Sequence, residues 1–368
     1  MAFCTRVPHR LHLARTFVDA RIKWVRDPYL DIAVEREKNL KEILSLKNQI
    51  VSSPSNSLPL SSLSPLKTHF NLPTSTSKLF QKYASVFSQF QPSPSLPLHV
   101  RLTPQAMTLH KEELAIHNSP SHRDDAVKRL AKLLMLTKAE LISWRKELAA
   151  SEMEKRASFS DDVELEKGLP LRFSMKLPNG FDLEKKVKNW VDAWQDLPYI
   201  SPYENAFHLG PNSDQAEKWT VAVLHELLWL LVSKKTEGKN VLCLGEYLGF
   251  GNRFKKAMVH FPGIFYVSNK IRTQTVVLKE AYRKDFFMEN HPLMGMRFRY
   301  IHLMNKADKF RKRAFRRKRK VIPSADNGEV TKEDDKSMEE IKGLNESSDS
   351  VFEDVSADET LKPQIIET

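Results

Sequence analysis

Cysteine is almost missing from this 368-residue chain. Cys4 and Cys243 are too few for a disulfide framework or a cysteine-based zinc site, which reads as a reducing compartment. Long apolar runs are missing too. The longest, "VAVLHELLWLLV", is interrupted by His225 and Glu226 and is too short to cross a bilayer, so it predicts a buried helix and no membrane span. No catalytic signature is complete. His225-Glu226 begins like a zinc-protease helix, but Trp229 stands where the second histidine would be, and the pair reads as structural. Gly245, Gly249 and Gly251 have neither the Gly-Lys-Ser/Thr ending of a phosphate loop nor dinucleotide-binding spacing; they are expected to let the backbone turn between helices. The serines lie in linkers with no base beside them, and the adjacent Glu112 and Glu113 would face apart on a helix. These absences predict a protein that is not an enzyme and uses no cofactor or metal.

Negative charge is also scarce over most of the chain. The 58 Lys and Arg against 46 Asp and Glu give +12, but residues 325–368 alone hold 14 acids and 4 bases. Residues 1–324 therefore carry 54 bases and 32 acids, a net +22. A body that positive favours a polyanion, because each neutralised phosphate releases condensed counterions. A membrane surface is the competing partner. The first 26 residues contain five Arg, one Lys and a single acid, Asp19, with no central apolar block. That composition matches an organellar presequence better than a secretory signal, and residues 1–23 are expected to form a transit peptide. The lack of serine there favours the mitochondrion over the chloroplast; an ordinary basic arm is the competing reading.

Over residues 31–51, Val34, Leu40, Ile43, Leu44, Leu46 and Ile50 recur at helical spacing, and "SSPSNS" stops the helix. "LPLSSLSPLKTHFNLP" predicts two brief helical segments, "TSKLFQKYASVFSQF" a helix running into an aromatic strand, and "LHVRLTPQA" a return strand. The same order returns later. "EKWTVAVLHELLWLLVSKK" is a first helix, "NVLCLGEYLGFG" a short helix and break, "NRFKKAMVHFPGIFYVS" a helix running into an aromatic strand, and "TVVLKEAY" its return strand. Tyr83-Ala84-Ser85-Val86-Phe87 aligns with Phe261-Pro262-Gly263-Ile264-Phe265, and Val100-Arg101-Leu102 with Val276-Val277-Leu278. Both return strands end on alanine, Ala106 and Ala281. The expected fold class is mainly α with small β-ribbons, in repeated winged-helix-like units. A third copy is partial: "DDAVKRLAKLLMLTKA" reads as a first helix and "ELISWRKELA" as a return strand, with everything between them missing near Lys138–Glu140. The middle unit is therefore expected to be truncated.

Three groups of residues are candidates for contact with nucleic acid. Lys185, Lys186 and Lys188 lie off the stripe formed by Leu183, Val187, Trp190, Val191 and Trp194, and Arg253, Lys255 and Lys256 lie on a second helix. Taken singly, each cluster is the solvated face of an amphipathic helix; their concentration in a +22 body is what argues for phosphate. In the last ribbon, Phe261, Ile264 and Phe265 read as core because the first copy repeats them. Tyr266 alternates to the opposite face and is the candidate for stacking on an unpaired base, with Lys270 and Arg272 in the turn for the backbone. Finally, Lys306 to Lys320 holds ten bases in fifteen residues, opposed only by Asp308. Lys306, Arg311, Lys312, Arg313, Arg316 and Arg317 are its candidates. That run reads as an RNA-contacting helix, a nuclear localisation signal or a partner for the chain's own acidic tail. "LPYISPYENA" reads as packing, since Pro198 and Pro202 fix an extended path and its tyrosines can bury their rings.

"LKEILSLKNQIVSSPSNSLPLSSLS", "VRLTPQA", "VKRLAKLLMLT", "LPYISPYENA", "AEKWTVAVLHELL" and "HFPGIFYVSNKIRTQTVVLKEAY", in that order, resemble the plant organelle RNA recognition domain over roughly Trp24 to Tyr300. The resemblance implies a nuclear-encoded plant protein, imported into mitochondria or chloroplasts, that binds intron-containing RNA and supports group II intron splicing alongside other splicing factors. Such introns supply their own catalytic RNA, so the protein would stabilise the RNA fold. The departure from the family is the missing stretch near Lys138, where its members carry a longer segment with short helices and an aromatic strand. The expected organisation is a transit peptide (1–23), an RNA-binding domain (24–300), a basic helix (301–322) and an acidic disordered tail (323–368). Two rival readings are a nuclear winged-helix protein that binds DNA or chromatin, addressed by "RRKRK", and a scaffold whose basic face docks an acidic protein.

Overall fold

The structure is a computed structural model that describes residues 22–63, 76–137, 150–161, 168–177, 183–271 and 273–321. Residues 1–21, the expected return strand "ELISWRKELA" and the acidic tail lie outside the described residues. The chain divides into two units, Met1–Arg311 and Lys312–Thr368; residues 312–321 are the described part of the second, as the end of a helix.

Two similar arrangements of helices and strands make up most of the first unit. α1 (Pro28–Glu35) comes first in the chain and packs on the later sheet; the amino-terminal arrangement contains α2 (Leu40–Ser52), β1 (Ser57–Pro59), α3 (Thr76–Lys82), β2 (Phe87–Phe90) and β3 (His99–Leu102). α2 buries Leu40, Ile43, Leu46 and Ile50, the apolar positions at helical spacing. Next come α4 (Pro104–Asn118), α5 (Pro120–Thr137), α6 (Glu152–Asp161) and α7 (Lys185–Gln195). The carboxy-terminal arrangement contains α8 (Asp214–Leu230), β4 (Lys235–Glu237), α9 (Gly238–Tyr247), α10 (Asn252–His260), β5 (Phe265–Ser268) and β6 (Thr275–Leu278). A two-stranded ribbon, β7 (Tyr282–Arg283) with β8 (Phe286–Phe287), leads into α11 (Pro292–Val321). The described fold is mainly α with small antiparallel sheets.

The two sheets share the strand register read from the sequence. Phe87 pairs with Leu102 and Gln89 with Val100; Phe265 pairs with Leu278 and Val267 with Val276. The entry turns match too. The N–H of Phe87 donates to the Tyr83 carbonyl, and that of Phe265 to the Phe261 carbonyl, each at 3.0 Å. The expectation of two-stranded ribbons needs correction at the two repeated sheets, because each of them has a third strand. The strand orders are β1-β3-β2 and β4-β6-β5. Ser57–Pro59 and Lys235–Glu237 are three residues each, too short to show an alternating pattern, and pairing with the return strand defines them. The alanines do not end strands either. Ala106 lies in the first turn of α4, capped by the Thr103 hydroxyl, and Ala281 lies in a 3₁₀ turn. The boundary expected at residue 300 falls inside α11.

Two cores result. Leu40, Ile43, Leu79, Phe80, Tyr83, Phe87, Val100 and Leu102 form the first, which α11 closes with Met296, Tyr300, Ile301, Leu303 and Met304. The second gathers Val221, Leu224, Leu228, Phe254, Phe261, Ile264, Phe265, Val276 and Leu278 with Phe173, Trp194 and Tyr199. Phe261, Ile264 and Phe265 are at most 1% exposed, as the repeat predicted. Gly245 permits a close helix crossing, since a Cβ there would stand 2.8 Å from the Phe254 ring. Gly249 and Gly251 have positive φ and turn the chain between α9 and α10.

The His225-Glu226 pair is structural. Glu226 is buried and accepts from Lys132 Nζ (3.0 Å), Tyr203 Oη (2.7 Å) and the Glu152 N–H (2.9 Å), so it joins α5, α6 and the "LPYISPYENA" segment to α8. His225 Nε2 donates to Glu280 at 2.8 Å. Ser201 accepts the Trp219 indole N–H through its carbonyl, and Tyr199 meets Ser151 at 2.9 Å, which makes the segment a packing element. α5 is different: Val127, Leu130 and Leu134 on its outer face are 58%, 58% and 50% exposed.

Candidate nucleic-acid interface

α7 and α10 turn their cations outward because their apolar sides are packed: Val187 and Val191 of α7 cluster with Ile22, while Trp194 of α7 joins Phe254, Ala257 and Met258 of α10 in the second core. Val187, Val191 and Trp194 are buried, and the Trp194 ring lies 4.3 Å from that of Phe261. Lys185, Lys186 and Lys188 are exposed. On α10, Phe254, Ala257 and Met258 are buried while Lys255 and Lys256 are exposed. Both helices therefore pack on one core and present lysines from it. Arg253 is less available, since it is half-buried with its guanidinium 5.8 Å from the Phe207 ring centroid.

Several helix starts in this protein obey capping chemistry, while those of α2, α7, α9 and α10 make no side-chain capping bond, and of these α7 and α10 put clustered exposed lysines there. Asp27 accepts the N–H groups of Tyr29 and Leu30 at the start of α1. Ser213 accepts the Ala216 N–H at the start of α8, where Asp214 and Glu217 occupy the first turn. At α7 and α10 the capping positions, Glu184 and Gly251, make no side-chain capping bond, and neither first turn contains an acid. Lys185, Lys186 and Lys188, and Arg253, Lys255 and Lys256, are thus added to the positive end of a helix dipole. Such an arrangement works against the fold and favours an arriving anion.

The remaining predicted residues have different fates. Lys270 is exposed in the β5–β6 turn, and Arg272 lies outside the described residues. Lys306 reaches Gln105 at 3.3 Å beside an open recess of about 530 Å³ lined also by Ala84, Ser85 and Thr103. Arg311, Lys312, Arg313, Arg316 and Arg317 lie on the helical backbone of α11, and their side chains are outside the described residues.

Tyr266 must be corrected. It does alternate away from Phe265, but that face is covered and Tyr266 is 1% exposed. Its hydroxyl donates to Asp31 Oδ1 at 2.9 Å and accepts from the Asp27 N–H at 3.2 Å, while its ring stacks on Trp24. Burial pushes the Tyr266 hydroxyl well above its ordinary pKa, and the Asp31 carboxylate adds to that shift. Burial alone would raise Asp31 too, but hydrogen bonds from Ser268, Arg26 and Tyr266 more than offset it and hold the carboxyl low. A base could stack on Tyr266 only by displacing Trp24.

One cluster was not legible in the sequence. Ligand atoms of His122, Asp125 and His291 lie within 4.8 Å of one another. All three are already engaged in structural contacts: Asp125 pairs with Arg129 at 2.8 Å, His291 Nδ1 accepts the Leu293 N–H at 3.2 Å, and the His122 ring lies edge-on to that of His291. Placing a metal on His291 Nε2 would move its proton to Nδ1, against that Leu293 N–H. Among the described residues, no helix is long and apolar enough to cross a membrane.

The sequence profile described as the plant organelle RNA recognition domain matches residues 25–142 and 139–309. The chain is 32% identical over 352 aligned residues to Protein WHAT'S THIS FACTOR 9, mitochondrial, of Arabidopsis thaliana, covering 83% of this chain and 89% of that relative. It is 27% identical over 333 residues to Protein WHAT'S THIS FACTOR 1, chloroplastic, of Zea mays, covering 76% and 66% of the two. It is 26% identical over 340 residues to Protein ROOT PRIMORDIUM DEFECTIVE 1 of Arabidopsis thaliana, covering 76% and 82%. No solved structure matches. The two profile matches meet at 139–142, beside the break read at Lys138–Glu140. In the first alignment 83% of 368 residues is about 305, fewer than the 352 aligned, so that relative has residues with no counterpart here.

Proposed function

This chain belongs to the plant organelle RNA recognition domain family, and we propose that it is a non-catalytic mitochondrial splicing factor that holds the folded RNA of a group II intron. The observation that carries the reading is the pair of uncapped, lysine-bearing helix starts at α7 and α10, set on one core inside the matched domain. Lys185, Lys186, Lys188, Lys255, Lys256 and Lys270 take phosphates, with the basic end of α11 adding to the attraction. The two helix-and-sheet arrangements act as winged-helix-like units, whose turns reach the RNA backbone. The mitochondrial address is supported by the arginine-rich first 26 residues and by the name of the Arabidopsis relative at 32% identity. Other splicing factors would join it on the same RNA.

RNA crosslinked to the protein in isolated mitochondria, then purified and sequenced, tests this directly. Enrichment of one or a few intron-containing transcripts is the expected result. Recovery of no RNA, or a nuclear location for a fluorescent fusion with an intact amino terminus, would overturn it.

A further inference from the structure

The two three-stranded sheets share a register but not a cover. By that register, Ser88, Phe90, His99 and Arg101 stand where Tyr266, Ser268, Thr275 and Val277 stand in the other sheet. In the carboxy-terminal sheet α1 lies on this face. Leu30, Ala33 and Val34 pack with Tyr266 and Val277, and Asp31 accepts from Tyr266 at 2.9 Å and from Ser268 at 2.6 Å. All four sheet positions there are buried.

In the amino-terminal sheet the same face carries other chemistry, and among the described residues no helix is packed on it as α1 is on the other. Arg101 is exposed, and Ser88, Phe90 and His99 are half-buried. The Arg101 guanidinium lies 4.6 Å from the centroid of the Phe90 ring, and the His99 ring lies 6.0 Å from it at 47°. His99 Nδ1 donates to the Pro97 carbonyl at 2.8 Å, which fixes that ring. Among the described residues Arg101 has no carboxylate partner. A helix that covered this face with aliphatic side chains alone would bury that guanidinium unpaired, at a cost such contacts do not offset. Two aromatic rings with an adjoining planar cation suit instead a flat, anionic occupant, which is the chemistry of an unpaired nucleotide.

We infer that the open face of the β1-β3-β2 sheet is a stacking platform for an unpaired nucleotide of the bound RNA: Phe90 and His99 receive the base, and Arg101 holds the adjoining phosphate. This rests on the RNA-binding reading above and goes beyond it, because it assigns a base-contacting site to side chains outside the lysine clusters.

The test uses the full chain with two probes, a labelled single-stranded RNA of mixed sequence and a fully paired RNA of the same length, each measured across a range of salt. Phe90→Leu keeps the apolar volume and removes the ring. It should weaken single-strand binding about 5- to 150-fold while leaving the salt slope and duplex binding unchanged. Arg101→Ala should weaken binding and make the single-strand salt slope shallower by about 0.7. Thermal melts matching the parent exclude unfolding, and ultraviolet crosslinks should map to the peptide spanning 87–102. If the parent chain binds neither RNA, the RNA reading fails and the platform with it. If the parent binds but both variants match it, or Phe90→Leu weakens both probes equally, the platform is wrong while the RNA reading stands.

Discussion

Replacing Lys185, Lys186 and Lys188 together with alanine should make this protein more stable and worse at binding RNA. The three lysines occupy the first turn of α7, where the free N–H groups amount to roughly half a positive charge. No acid shares that turn and no side chain caps it. Each cation at such a position opposes the helix dipole by about 0.3–1 kcal/mol, and exposure to water argues for the lower end, so the triple variant should gain roughly 1 kcal/mol. The effect on RNA has the opposite sign. If each lysine neutralises one phosphate of an unpaired strand, the slope of log affinity against log salt becomes shallower by about 2. Near 0.1 M salt that term alone is on the order of 100-fold in affinity. Fluorescence anisotropy with labelled RNA at several salt concentrations, beside thermal melts of the same samples, reads both quantities. An unchanged slope would show that these lysines touch no phosphate. A lower melting temperature would show that they serve the fold, and the helix-start reasoning would be refuted.

Four further outcomes are expected. Glu226→Ala leaves Lys132 buried without its counter-charge and should lower stability by about 3–5 kcal/mol in calorimetry, where a loss under about 1 kcal/mol would contradict the network. Tyr266→Phe removes the hydroxyl that links Asp31 to the Asp27 N–H; it should cost about 1–3 kcal/mol and leave the salt dependence of RNA binding untouched. His110 and His291 are held below the ordinary imidazole value by burial, helped by Lys47 and Arg129 respectively. The unfolded chain therefore takes up protons first, so stability is full above about pH 6.5 and falls as pH drops below it. His291→Asn keeps a cap for α11 and should flatten part of that fall in pH-dependent melts. Truncation after Lys320 removes a segment whose last 44 residues hold 14 acids against 4 bases, and it should tighten RNA binding at fixed salt; unchanged affinity would end the idea of an internal competitor.

Much of the fold was legible because it repeats. Phe87 and Phe265 begin their strands at the same register position, and one reading of local spacing located both. The lysines of α7 and α10 were legible as well, since a stripe such as Val187, Val191 and Trp194 defines an outer face without knowledge of the partner. β1 and β4 were not, because three residues carry no period and become strands only when β3 and β6 offer them hydrogen bonds.

Sequence alone was enough to locate the apolar stripes of α2 and α7, the paired strands of both sheets, and where the positive charge lies. These depend on near-neighbour periodicity and on composition, which survive without coordinates. The tertiary structure decided which sheet face is covered. Alternation placed Tyr266 opposite Phe265, but Asp31, 235 residues earlier in the chain, closes that face. The equivalent face with Phe90 and Arg101 has no such helix among the described residues, because strand alternation assigns a side chain to a face and only long-range packing determines what covers it.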